Sequence, residues 1–91
     1  MMGGLEVLIQ HWLDETSIYS DPRKCLEVPS FDTLQKYDHN KVVTALLDKL
    51  EKEPTIQIMV ALGKLTGENP VSPEHRGMIK EMAKDWLNWR G

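Results

Sequence analysis

The chain has one cysteine, one phenylalanine and no Asn-x-Ser/Thr sequon in its 91 residues. A single cysteine cannot close a disulfide within the chain, so the expectation is a reducing, cytoplasmic setting. No apolar run approaches the ~20 residues that a membrane-spanning helix requires. The start, MMGGLEVLIQ, lacks the basic segment, apolar core and cleavage site of a secretory leader. A formal net charge of −3 provides no general attraction to nucleic acid or to an anionic membrane. Also missing are a Gly-rich phosphate loop, Cys-x-x-Cys, His-x-x-x-His and Gly-x-Ser-x-Gly. The histidines, His11, His39 and His75, fall on three separate predicted elements, with neither zinc-site spacing nor a paired ligand. The expectation is therefore no metal, no cofactor, no catalytic set and no enzyme.

What is present is helical periodicity. TIQIMVALGKLT, Thr55 to Thr66, places Ile56, Met59, Val60 and Gly63 on one helical face and Ile58, Leu62 and Leu65 on the other. A helix apolar nearly all round belongs inside a fold, so residues 55–65 are expected to form a nearly fully buried central helix. Pro54 suits the first helical position, over 54–66, and Gly67 suits the left-handed stop. Gly63 weakens a helix by roughly 1 kcal/mol against Ala, which suggests a close-packed neighbour.

Three further helices are predicted. Over 4–14, Leu5, Leu8, Ile9, Trp12 and Leu13 share a face, with Val7 and His11 behind. Over 39–53, capped by Asp38, Val42, Val43, Leu46, Leu47 and Leu50 make a second stripe, and Asp48 and Lys52 pair outside it. Over 73–90, opened by Ser72 and Pro73, His75, Met78, Ile79, Met82, Trp86 and Trp89 lie together. Trp86 and Trp89 are expected to lock this helix onto the first through Trp12, and His75 is read as a half-buried core residue. Between the first two helices, residues 20–37 read as a short helical lid with turns at about 22–27 and 31–37, interrupted by Pro29. Cys25, beside Arg23 and Lys24, could hold a reactive thiolate; burial as a small hydrophobe is the reading preferred.

One feature departs from an ordinary solvated surface. Arg76, Lys80 and Lys84 stack at i, i+4 on one flank of the predicted last helix, with Arg90 nearby and Leu87 among them. Glu74, Glu81 and Asp85 take the other flank. Like charges one turn apart cost a few tenths of a kcal/mol, so such sorting disfavours an isolated helix. The flank either faces water and the protein's own acids, or docks an acidic or amphipathic partner, with Leu87 as apolar anchor. Nucleic acid is the alternative ligand, but the helix after the tight 53–54 corner is too apolar to lie in a groove.

EKEPTIQIM, followed by MAKDWLNW, loosely resembles the N-terminal helical module of transcript-elongation factors, over residues 43–89. That resemblance implies docking of short disordered motifs of transcription partners. The Ala83-to-Trp89 spacing and the intervening ENPVSP depart from that module, and the chain is not assigned to it. The expectation is an all-α bundle of four main helices in one domain, 1–91. Its expected role is a non-enzymatic protein-interaction module that binds another protein or itself through Arg76, Lys80, Lys84, Leu87 and Arg90.

Overall fold

The computed structural model describes residues 4–90; residues 1–3 of the start read above, and Gly91, lie outside it. Every regular element among the described residues is helical. In chain order they are α1 (Gly4–Thr16), a 3-10 turn (Pro22–Leu26), α2 (Pro29–Gln35), α3 (His39–Lys52), α4 (Ile56–Thr66), a second 3-10 turn (Pro73–His75) and α5 (Ile79–Arg90).

α1 buries the expected stripe of Ile9, Trp12 and Leu13 and runs two residues further than predicted, to Thr16. The Thr16 hydroxyl donates to the Trp12 carbonyl at 2.8 Å, which satisfies both groups in a buried position. The 20–37 segment is core, not lid. Cys25, Val28, Phe31 and Leu34 are all buried and belong to the same cluster as Trp12 and Leu46. Trp12 organises this end: its indole N–H donates to the Cys25 carbonyl at 2.8 Å, and its ring lies 6.0 Å from Phe31. Pro29 opens α2 where the sequence suggested an interruption. Val28 takes the extended conformation that a following proline favours, and that is also what a helix-preceding residue needs.

Asp38 caps α3 as expected, accepting from the Lys41 amide at 3.2 Å. Glu53 leaves helical geometry ahead of Pro54, and α4 begins at Ile56 rather than at Pro54. α4 is the central element: it packs on α3, on the first 3-10 turn and on α5. Ile58, Met59, Ala61 and Leu62 are buried, but Ile56, Val60, Gly63 and Leu65 are only partly covered, so the helix is less enclosed than expected: one face meets the core and the Ile56–Val60–Gly63 face borders a concavity. Gly67 closes it at φ 72, its amide donating to the Gly63 carbonyl at 2.9 Å. Gly63 is not a close-packing site, because a Cβ there would meet only the Glu68 carbonyl at 3.8 Å, an ordinary contact.

The predicted 73–90 helix is broken. Pro73 starts a 3-10 turn that ends at His75, Gly77 reverses the chain at φ 82, and α5 begins at Ile79. α5 then packs on α3 and α4. The expected Trp12 lock is replaced by a local pair, Trp86 and Trp89 meeting edge-to-face at 5.4 Å. No helix among the described residues is long and apolar enough to cross a membrane.

Candidate functional site

Breaking the last helix redistributes the predicted basic flank. Arg76 falls in the loop before α5, not one turn ahead of Lys80 on a continuous helix. Arg90 is committed internally: its guanidinium spans α5 and α3, reaching Asp48 at 2.9 Å and Glu51 at 3.2 Å. Asp48 therefore pairs with Arg90 rather than with Lys52. Lys84 lies 3.6 Å from Glu81, one turn away, and stays largely in water. Leu87 is half-buried against the core, so it is no exposed anchor. Arg76 and Lys80 are exposed and have no carboxylate within ion-pair distance among the described residues.

These two cations bracket Met78 and Ile79, which are 50% and 44% exposed. Met78 stands one turn before Met82 on the same face. Met82 in turn helps line a concavity of about 320 Å³ between α4, the 68–76 loop and α5. Ile56, Val60, Val71 and Trp86 supply most of its apolar wall, and Arg76 stands at its edge. The pattern 78, 79, 82, 86, 89 was legible as an apolar stripe. Its N-terminal part, Met78 and Ile79, lies half in water, just after Gly77 at φ 82.

The turn before α5 is held by one carboxylate. Asp85 Oδ2 accepts the Ser72 backbone N–H at 3.0 Å and lies 2.7 Å from His75 Nδ1. His75 thus makes a polar contact where the sequence suggested membership of an apolar stripe. The hydrogen bond to Asp85 holds the His75 imidazole above its ordinary pKa, with Glu81 and Glu74 adding to it. The same bond, together with the Ser72 amide, holds the Asp85 carboxyl below the usual carboxylate range. An oriented imidazole is half of a nucleophilic dyad. Ser72, three residues before His75, gives its amide to Asp85.

Cys25 offers no alternative, since burial pushes its thiol up to about 11 and leaves it protonated at neutral pH. Among the described residues no group of three or more His, Cys, Asp or Glu is arranged to hold a metal. A larger groove, about 550 Å³, runs between α1 and α3 past Val7, Gln10, Lys41, Ala45 and Lys52. Sequence reading missed it because Val7 alone on the back of α1 carries no pattern. Two of its charges are taken, Asp48 by Arg90 and Lys49 by Glu53 at 3.0 Å. The smaller concavity differs in adjoining the half-exposed Met78–Ile79 pair and Arg76, which meets no carboxylate among the described residues. No protein-family model, curated protein or solved structure matches this chain.

Proposed function

We propose that the protein is a non-enzymatic interaction module that docks an acidic, amphipathic segment of another polypeptide on the surface formed by Arg76, Met78, Ile79 and Lys80. The observation that carries this reading is the pairing of half-exposed apolar side chains with two cations that meet no carboxylate among the described residues. Apolar residues left in water gain about 25 cal/mol per Å² when covered. The cations steer an acidic partner and set its orientation. The concavity walled by Val60 and Trp86 receives an apolar side chain of the partner. Of the five residues singled out in the sequence, Arg76 and Lys80 stand at the centre and Lys84 extends the basic edge. Arg90 and Leu87 are engaged within the fold.

The test is a titration with a synthetic amphipathic peptide carrying Glu on its polar face, read by tryptophan fluorescence, since Trp86 lines the concavity. Saturable binding that weakens with salt is expected, with amide shifts centred on residues 76–80. The double variant Arg76→Glu, Lys80→Glu should keep its circular dichroism spectrum and lose the binding. Binding that survives unchanged in that variant refutes the reading. The same titration with duplex DNA and RNA addresses the alternative ligand, and binding there with a steep salt slope would favour it.

A further inference from the structure

We infer that the segment received by the Arg76–Lys80 surface is the Ile18–Tyr19 turn of a second copy of this chain. This inference rests on the docking reading above and names its partner. Ile18 is 82% exposed, more than any other large apolar side chain among the described residues, and Tyr19 beside it is also exposed. A lone exposed side chain needs no explanation, but this one is held out by ordered backbone. The Tyr19 amide donates to the Thr16 carbonyl at 3.1 Å, and the Ser17 hydroxyl donates to the Asp14 carbonyl at 2.8 Å. Thr16 itself is buried, so the turn stands on the core.

The charge around the two apolar pairs is opposite in sign. Asp14, Glu15 and Asp21 flank Ile18–Tyr19 and outnumber Arg23 and Lys24, with Asp21 and Arg23 paired at 3.5 Å. Arg76 and Lys80 flank Met78–Ile79; Glu81 is turned to Lys84 and Asp85 to His75, while Glu68 lines the concavity and Glu74 stands two residues before Arg76. Every residue lining the receiving concavity comes from position 56 or later, so the Ile18 turn takes no part in it within its own copy. The contact joins two different surfaces, so it does not close on itself as a two-fold dimer does; it adds copies head to tail. A turn seated on a small concavity falls below the ~1,200 Å² typical of stable interfaces, so the association is weak and reversible.

The experiment is sedimentation equilibrium of the full chain from about 10 μM to about 1 mM, a span that captures weak association. The average mass should rise above the 10.5 kDa of one copy as concentration increases, and fall back in high salt. Ile18→Asp alone and Arg76→Glu, Lys80→Glu alone should each remain at one copy. An equimolar mixture of the two should reach twice that mass and stop, since each retains the surface the other lacks. A wild-type chain that stays single throughout, or an Ile18→Asp chain that associates like wild type, overturns the inference. Glu-peptide binding that persists in such a chain and is lost in Arg76→Glu, Lys80→Glu would leave the docking surface standing and remove only the second copy as its occupant. Loss of peptide binding altogether would remove both.

Discussion

Two 3-10 turns in this protein begin with the same local grammar and end as opposite structures. Pro22–Leu26 follows Asp21, and Pro73–His75 follows Ser72. The first places Cys25 at zero exposure and offers its carbonyl to the Trp12 indole. The second buries nothing, and the side chain that ties it to α5 is Asp85, through one amide and one imidazole. A cap position and a proline start a turn, but what fixes its place is what its later side chains meet. Cys25, fourth in the first turn, joins the core; His75, third in the second, takes a polar partner. The consequence is a first turn tied into the core, and a second turn followed by apolar residues, Met78 and Ile79, that remain half in water.

The comparison can be broken most severely at Trp12. Trp12→Ala should cost about 3–5 kcal/mol, because it opens a cavity beside Phe31 and leaves the Cys25 carbonyl without its donor. Urea denaturation measures this, and a loss below that of an ordinary surface change would mean that the first turn is not tied into the core. Asp85→Asn should have a smaller effect, confined to the second turn. The raised His75 pKa stabilises the fold fully below the ordinary histidine value, near pH 6.5, and that share is lost as pH rises through the raised value. The lowered Asp85 pKa stabilises above the ordinary aspartate value, near 3.8, and that share is lost as pH falls through the lowered value. The deficit of Asp85→Asn against wild type should therefore be widest between about pH 4 and pH 6.5 and narrow on both sides. A deficit of the same size inside and outside that range would mean that the His75–Asp85 pair does not hold the turn. In the same variant the His75 titration, followed by NMR, should return toward the ordinary histidine value.

Gly63→Ala sharpens the contrast from between the two ends. It should stabilise by about 0.5–1 kcal/mol, since the helix gains propensity and the added methyl meets only an ordinary contact. A destabilised Gly63→Ala protein, by thermal melting, would mean that the α4 surface beside the loop is tighter than described. The smallest effect belongs to Arg90→Ala. Its fork onto Asp48 and Glu51 is mostly exposed, so removal should cost under about 1 kcal/mol, less in high salt. Glu-peptide binding at the Arg76–Lys80 surface should be unaffected. Loss of peptide binding in Arg90→Ala would return Arg90 to the docking surface.

Much of the helical layout was legible in the sequence because the signals are local. The Val42–Leu46–Leu47–Leu50 stripe, the Asp38 cap and the Gly67 stop each depend on a handful of neighbouring residues, and each stands where periodicity put it. The break before α5 was not legible. Ser72-Pro73-Glu74 reads as a helix start, and nothing local says that Gly77 will reverse the chain. That outcome depends on Asp85, which lies ten residues beyond His75 in sequence and within 2.7 Å of it in space. The candidate site was legible in part for the same reason. Its charges could be counted, but which of them would be used up inside the fold could not, because Arg90 meets acids some forty positions away.

Sequence alone therefore determined an all-α chain, its main apolar stripes and the central place of the helix over 55–65, since periodicity and capping act over one or two turns. Tertiary structure alone decided that 20–37 is core, that one face of that central helix stays partly open, that the last helix starts at Ile79, and that Arg90 pairs within the fold while Arg76 and Lys80 meet no carboxylate among the described residues. Those outcomes are contacts between segments distant in the chain, whose energies exist only once the segments have been brought together.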